Sequence, residues 1–165
     1  MSLIRLAFPL TSLVVGGVWM ASGTSQAKLD FDLPAKDVVQ RITASRTVEG
    51  TGMGSLRLSG YALNPREVRI TVARAGTSGT VKCTVNVAEE SATSSSAALD
   101  CTQSKAKNAT VNRLGGEAMT IVVSEHVRAS ALKQPYDIDG VGDKMLSFMA
   151  RSAPAMAAQR QPPGK

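Results

Sequence analysis

Aromatic side chains are scarce in this 165-residue chain, which has one tryptophan, two tyrosines and three phenylalanines. Proteins that hold single-stranded nucleic acid stack its bases on aromatic rings, and most sugar-binding sites use an aromatic face in the same way. The nineteen Lys and Arg residues are scattered along the chain. The formal net charge of +6 therefore does not indicate a nucleic-acid partner, and a lectin is disfavoured as well.

Histidine and cysteine are almost as rare, with His126, Cys83 and Cys101 as the whole set. A structural zinc ion needs four ligands, so these three residues predict no metal site. His126 stands beside Glu125, but no G-x-S-x-G motif supplies a nucleophile for a catalytic base to activate. We therefore predict no catalytic residue and no cofactor, and we do not expect an enzyme.

Two segments resemble ligand-binding loops without meeting the requirements. Glycines alternate in residues 50–54 as G-x-G-x-G, whereas a dinucleotide loop needs G-x-G-x-x-G, so a flexible link is expected. Residues 136–144 contain three carboxylates, but aligning Gly140 with the sixth EF-hand position puts Pro135 and Leu146 at two ligand positions. We expect this segment to be a loop that caps the last helix, with a weak calcium site of another type as the alternative.

The first residues have the pattern of a secretory signal. Arg5 precedes an uncharged run over 6–27, and the run ends in small and polar residues, which predicts cleavage after Ala27, with Gly23 as the next choice. An uncleaved membrane anchor is the alternative, since the run is long enough to span. The positive charge before the run, together with Asp30 and Asp32 after it, places the rest of the chain outside the cytoplasm, whether the signal is cleaved or kept as an anchor. We therefore predict a periplasmic or secreted protein that meets the membrane only through its signal.

Removal of the signal leaves one domain of ordinary size. The loss of Arg5 lowers the net charge from +6 to +5, and the remaining length can bury a core. We predict a single α+β domain over residues 28–153. Residues 154–165 are rich in Pro, Ala and Gln and are predicted to be a disordered tail.

The two cysteines lie on two predicted strands, and the pairing that matches the apolar faces of these strands also places the cysteines opposite each other. Apolar and polar residues alternate strictly over residues 80–88 and again over 97–101, as in half-buried strands. Antiparallel pairing around Ala92 gives three opposed pairs, which are Cys83 with Cys101, Val85 with Leu99, and Val87 with Ala97. Opposed residues are within disulfide reach. In an oxidising compartment this predicts a structural disulfide; two buried free thiols are the alternative, and the redox motif C-x-x-C is absent.

The same alternation extends upstream into a four-strand meander. The predicted strands are 55–63, 67–74, 80–88 and 97–103. A two-residue turn at Gly76-Thr77 gives the pairs Val72 with Val81, Ile70 with Cys83, and Val68 with Val85. The turn at Asn64-Pro65 pairs Tyr61 with Ile70 and Leu63 with Val68. Leu56 and Leu58 have even numbers, whereas Tyr61 and Leu63 have odd ones, so a regular strand would put the two pairs on opposite faces. A bulge is therefore expected near residues 59–60.

Helices are expected on both sides of this meander. Pro34 predicts the start of a helix that carries Val38, Val39 and Ile42. Residues 105–112 are expected to form a loop. Residues 117–132 predict a helix, with strand as the alternative over 117–123. Asp143 is predicted to cap a last helix.

The predicted fold class is α+β: an antiparallel meander of four to five strands, covered on one face by N- and C-terminal helices. By the order of its elements, strand, helix, meander and C-terminal helix, the chain is similar to helix-grip ligand-binding domains. That is a resemblance of fold, which does not by itself assign a function.

Two functions are compatible with this architecture. The first is a non-enzymatic module that binds an apolar small molecule between the sheet and the C-terminal helix. Its candidate pocket comprises Ile70, Val85, Leu99, Met145, Leu146 and Met149. Methionine suits such a surface because its side chain adapts to irregular shapes. The alternative is an envelope module that binds a protein or an anionic polymer through the basic residues of the outer sheet face, Arg57, Arg69 and Lys82, which Asp100 partly offsets.

Overall fold

The computed structural model describes residues 26–49, 54–101 and 109–158. Within these ranges it has six strands and three helices. In chain order these are β1 (Gln26–Phe31), α1 (Ala35–Ile42), β2 (Arg46–Val48), β3 (Leu56–Asn64), β4 (Glu67–Arg74), β5 (Thr80–Ser91), β6 (Ser94–Asp100), α2 (Ala109–Ala131) and α3 (Ile138–Ala158). The strands form one antiparallel sheet in the order β1-β6-β5-β4-β3-β2. The α+β class is confirmed, with slightly more strands than predicted.

The central strands have the predicted register. In the β4–β5 and β5–β6 ladders five predicted pairs are present: Val72–Val81, Ile70–Cys83, Val68–Val85, Val85–Leu99 and Val87–Ala97. The Cys83–Cys101 disulfide is present as well, with an S–S distance of 2.04 Å. Both cysteines are fully buried. Apolar residues alternate with polar ones along these strands, and this alternation was enough to set the register. A shift of one strand by one residue would move every one of its apolar side chains to the exposed face.

The β3 register differs from the prediction by one residue. Tyr61 was expected opposite Ile70, but Gly60 occupies that position and the bulge lies after Ala62, further along than predicted. Leu58 is fully buried, and its position determines which alternate residues of β3 face the core. Tyr61 consequently points to solvent with 70% of its surface exposed.

The β4–β5 connection is longer than the predicted two-residue turn. Strand β4 ends at Arg74 and β5 begins at Thr80, and the last pair between them is Ala73 with Thr80. The N–H of Thr77 donates to the carbonyl of Arg74 at 3.2 Å, and Gly76 has a φ of 77° at the turn position that favours glycine. The prediction of glycine as the first residue of a two-residue turn is therefore wrong, although the register of the strands is unchanged.

A strand before the first helix was expected from the order of elements, but its pairing with β6 was not predicted, and neither was β2. In β1 the pairing with β6 begins at Gln26 and Ala27, opposite Asp100 and Leu99, so the predicted boundary after Ala27 falls inside a strand. Strand β6 begins upstream of residue 97 because residues 94–96 continue its ladder with β5, and β1 pairs with two of them. Strand β2 has three residues, too few to show a periodic pattern.

All three helices were anticipated, but two have different limits. Helix α1 follows Pro34, as expected, and buries Val38, Val39 and Ile42. Helix α2 begins at Ala109, so residues 109–112 are helical and not a loop, and the strand alternative over 117–123 is wrong. The remaining residues of the predicted 105–112 loop lie outside the described ranges.

Helix α3 starts earlier and ends later than predicted. Asp137, not Asp143, caps it, and its Oδ1 accepts a hydrogen bond from the N–H of Gly140 at 3.0 Å. The helix also continues through residues 154–158, which were assigned to the disordered tail. Alanine dominates this stretch, and its high helix propensity favours continuation despite Pro154.

The helices form layers on one side of the sheet. Helices α1 and α2 pack on the sheet, and α3 packs chiefly on α2. The core between them is aliphatic, with Leu58, Ile70, Val85, Leu99 and Val127 at 0–1% exposure. The opposite sheet face carries the exposed side chains of Arg57, Arg69 and Lys82. The predicted arrangement, an antiparallel sheet with helices covering one face, is thus confirmed.

Candidate functional site

The six residues of the predicted apolar pocket do not surround one cavity. Ile70, Val85 and Leu99 belong to the packed core of the sheet at 0–1% exposure. The three residues from α3 lie on a helix that packs on α2, where Met145 is buried, whereas Leu146 is 62% and Met149 is 44% exposed. The predicted pocket is therefore divided between the core and the outer surface.

A groove of about 560 Å³ lies elsewhere, where the ends of α1 and α2 meet the start of β2. Its walls carry Asp37, Gln40, Arg41, Ala44, Arg46, Ala129, Ser130 and Lys133. Three of these side chains are cations and one is a carboxylate, so the groove has a formal charge of +2. None of these residues was predicted as part of a site.

Arg41 closes the end of α2 within the groove. Its Nη1 donates to the carbonyl of Ala131 at 2.7 Å. That carbonyl is in the last turn of α2, where a helix has no internal donor left and a cation is favoured. Arg41 is therefore partly engaged, which leaves Arg46 and Lys133 as the cations with more freedom to bind a ligand.

Lys133 occupies a conformation that usually requires glycine. Helix α2 ends in a Schellman motif, in which the N–H of Gln134 donates to Ala129 at 2.8 Å and the N–H of Lys133 donates to Ser130 at 3.2 Å. Lys133 has a φ of 54°, in the left-handed region that costs a side-chain-bearing residue about 1 kcal/mol. This C-terminal motif therefore places a cation at the end of α2, where Lys133 lines the groove.

Arg46 is held between an aromatic ring and the protein interior. Its guanidinium lies over the ring of Tyr136 at 5.9 Å from the ring centre, a cation–π arrangement. Burial, and then the charge of Glu125, raise the pKa of Tyr136, so the ring stays neutral and its hydroxyl donates to Val122 at 3.2 Å. Despite this support, Nη1 of Arg46 is buried and has no hydrogen-bond partner among the described residues.

Two more residues share this property, and both are on the adjacent face of α2. Ser130 is 7% and His126 is 0% exposed, and they are one helical turn apart, so their side chains lie on the same face. Neither Ser130 Oγ nor either ring nitrogen of His126 has a hydrogen-bond partner in the described part of the chain. Together with Arg46 Nη1, these are all the buried side-chain polar atoms without a partner that the described ranges contain.

Such a concentration calls for a physical reason. A buried polar group without a partner costs about 1–3 kcal/mol, and proteins keep only a few of them. Here all come from three residues at one helix junction. Two of these residues, Arg46 and Ser130, line the groove. The arrangement therefore holds hydrogen-bond donors in place before any partner is bound.

His126 is neutral at physiological pH. Burial, and then the positive charge of Arg46, lower its pKa from the ordinary 6.5 to about 4, although the carbonyl of Ile42 acts in the opposite direction. A ring of this kind is a weak base, and none of the described residues offers it a hydrogen-bonded hydroxyl or thiol nucleophile. The prediction that His126 is not catalytic stays a prediction.

The carboxylate of Glu125 accepts hydrogen bonds from Arg128 and Asp137. Two nitrogens of Arg128, Nε and Nη2, each donate to it at 2.8 Å, and the N–H of Asp137 donates at 2.9 Å. Burial raises the pKa of Glu125, but these hydrogen bonds outweigh burial and leave the pKa below its ordinary value. This carboxylate ties the end of α2 to the start of α3 and does not neutralise Arg46 by a direct bond.

One sequence signal could have identified the site. Helix α2 presents Val122, Val123 and Val127 to the core, and His126 and Ser130 interrupt that apolar face at one-turn spacing. Polar residues at core positions are informative because their burial is costly. Arg46 and Lys133 gave no comparable signal, since nothing local distinguishes them from other surface cations.

Other site types receive no support from the described residues. They contain no group of three or more His, Cys, Asp or Glu side chains arranged to hold a metal ion. Within the same ranges no helix is both long and apolar enough to cross a membrane. Residues 50–53, which hold two glycines of the G-x-G-x-G segment, lie outside the described ranges.

Comparison with known proteins adds little. No protein-family model matches the chain, and no curated protein matches it. The structure is similar to that of CalU16 from Micromonospora echinospora, with a TM-score of 0.45 and 14% sequence identity over 81% of this chain and 85% of that one. This likeness is too weak to support a functional conclusion.

Proposed function

We propose that this protein is an exported, non-enzymatic binding module whose ligand places an oxyanion, such as a carboxylate, phosphate or sulfate group, in the groove. The observation that carries the proposal is that two residues with a buried, unpartnered donor, Arg46 (Nη1) and Ser130 (Oγ), both line the same groove. An oxyanion would accept from both and so remove the cost of leaving them unpaired.

The charge and the shape of the groove support the same ligand class. Arginine suits oxyanions because its planar fork matches two oxygens at once, and Lys133 adds a second cation. Asp37 is the one carboxylate on the walls, so the field remains positive. A volume of about 560 Å³ is within the range of small-molecule sites, roughly 300–1,000 Å³.

This proposal keeps one predicted partner class and changes its location. An anionic partner was expected on the outer sheet face, where Arg57, Arg69 and Lys82 are exposed, yet those side chains are on three different strands. The apolar ligand between sheet and C-terminal helix stays a prediction, but the exposure of Leu146 and Met149 gives it no enclosed wall. The groove has buried donors, and the other two surfaces do not.

The direct test is the binding of sulfate to an Arg46→Gln variant, measured by isothermal titration calorimetry. Loss of a charge-assisted hydrogen bond costs about 1.5–3 kcal/mol, so we expect affinity to fall by about tenfold to more than a hundredfold. Arg69→Gln is the matched control, because it removes the same charge from the outer sheet face. Equal losses in both variants would mean that sulfate responds to net charge alone, and an unchanged affinity of Arg46→Gln would exclude the groove.

Export is the second part of the proposal. The disulfide fits an oxidising compartment outside the cytoplasm, and the residues before β1 have the signal pattern described above. Because Gln26 and Ala27 pair with β6, cleavage after Ala27 would shorten β1, and we now favour cleavage after Gly23. Intact mass of the exported protein should place its first residue at Thr24. A mature chain beginning at Lys28 would contradict this site, and a retained Met1 would contradict export by a cleaved signal.

A further inference from the structure

His126 is not explained by the binding of an anion to Arg46 and Ser130 alone. It is fully buried, and neither ring nitrogen has a hydrogen-bond partner of good geometry among the described residues, although the carbonyl of Ile42 is close enough to act on the pKa of the ring. Its neighbours on α2, Val122, Val123 and Val127, show that an aliphatic side chain fits this layer of the core. An imidazole at this position carries a cost that valine or leucine would not.

The charged and titratable groups around this junction come from several elements. Arg41 of α1 is bonded to the carbonyl of Ala131, and Tyr136, between α2 and α3, is bonded to the carbonyl of Val122. On the same helix as His126, Glu125 is paired with Arg128. The groove adds Asp37 of α1, Lys133 after α2 and Arg46 of β2. Arg46 thus has two roles, because it lines the groove and its charge acts on His126.

We propose that the groove takes up its oxyanion together with one proton, and that His126 is the group that receives this proton. The inference rests on the proposed function. The proton comes from hydronium in the solvent: an O–H bond of hydronium breaks, leaving water, and an N–H bond forms at the one ring nitrogen of His126 that carries no proton. When the pH rises, the proton leaves and the oxyanion is held less tightly.

The physical reason is electrostatic. In the free protein, burial and the charge of Arg46 keep His126 neutral, with a pKa of about 4. An oxyanion paired with Arg46 cancels that charge and adds a negative one nearby, and an opposite charge at short range moves a pKa by about 1–3 units in favour of the charged form. Because linkage is reciprocal, protonated His126 must in turn strengthen binding of the oxyanion. One linked proton gives at most about a tenfold gain in affinity per pH unit.

The chain offers an unusually clean readout, since His126 is its single histidine. The Cε1–H proton resonance of the ring can be followed by NMR during a pH titration of the full exported chain. One titration is run in chloride and the other at equal ionic strength in sulfate, whose charge is constant across this range. We expect a midpoint near 4 in chloride and an upward shift of at least about one unit in sulfate.

Two failures of this experiment can be told apart. If sulfate perturbs the amide signals of Ser130 and Arg46 but leaves the midpoint of His126 unchanged, the proton uptake is refuted and the binding site remains. If sulfate perturbs neither those amides nor His126 at any pH, the binding proposal itself fails, and the inference fails with it.

A variant gives the thermodynamic counterpart. The variant is His126→Gln, which has no ring nitrogen at this position to protonate. The variant should lose the rise in affinity that the parent shows as the pH falls toward 5, whereas Arg69→Gln should retain it. A full pH dependence in His126→Gln would assign the proton to another group and overturn the inference. The NMR titration of the parent chain decides the question even if this variant does not fold.

Discussion

Replacement of Ser130 by alanine should make the protein more stable. The hydroxyl of Ser130 is buried and has no hydrogen-bond partner among the described residues, so its removal relieves the cost of burying an unpaired polar group. That cost is about 1–3 kcal/mol. Alanine is also the better helix former by a few tenths of a kcal/mol, whereas the loss of one buried oxygen leaves a small void. We expect a net gain of about 1–2 kcal/mol in the free energy of unfolding.

Ser95→Ala is the matched control, because the hydroxyl of Ser95 is equally buried but is bonded. It donates to the carbonyl of Leu33 at 2.8 Å, and Ser95 is 1% exposed. Its loss should cost about 1 kcal/mol, so the two serines should respond with opposite signs. Urea denaturation followed by far-UV circular dichroism, in buffers free of oxyanions, gives both values, and an unchanged m-value confirms that stability alone has changed. Destabilisation by Ser130→Ala of 1 kcal/mol or more would show that its hydroxyl is already satisfied, and the argument for a ligand at this position would fail.

Three further substitutions, one of them a control, test the close packing of α1 and the opposed effects of Lys133 on stability and on charge at the groove. Gly60→Ala should destabilise the protein by about 2 kcal/mol or more, because an added Cβ would meet the carbonyl oxygen of Ile42 and would lie 2.7 Å from the Cα of Thr43. Gly142→Ala is the control, since there is open space around Gly142. It should instead stabilise α3 by about 0.5–1 kcal/mol. Equal melting temperatures for these two variants would contradict the packing. Lys133→Gly should raise stability by about 1 kcal/mol, since glycine accepts the left-handed conformation, while it weakens sulfate binding. A variant that is less stable, or that binds sulfate as well as the parent, would argue against a role for this side chain.

The parts of the fold that could be read from the sequence are those with a strict local period. Alternation over β4, β5 and β6 fixed the register and with it the Cys83–Cys101 bond, because only one pairing buries every apolar residue. Strand β2 is too short to alternate, and β1 overlaps the end of a signal-like segment, so neither could be assigned locally. The bulge after Ala62 depends on packing between β3 and the core, which no local pattern encodes.

The candidate site was largely invisible to the sequence for a related reason. It is built from the end of α1, the first residue of β2 and the last turns of α2, which are far apart in the chain. Only His126 and Ser130 left a trace, as polar residues on an apolar helix face. Arg46 looks like any surface cation until the fold places it over Tyr136. Sites formed by convergence of distant segments require the tertiary structure.

The central claim is that the groove between α1, β2 and α2 holds an oxyanion, and a crystal structure of the protein with selenate tests it most directly. Selenate has the shape and charge of sulfate, and the anomalous signal of selenium locates it without ambiguity. We predict one strong peak in the groove, with selenate oxygens within hydrogen-bond distance of Arg46 Nη1 and Ser130 Oγ. A peak only on the outer sheet face beside Arg57, Arg69 and Lys82, or a groove in which Arg46 is bonded to another protein group, would contradict the account.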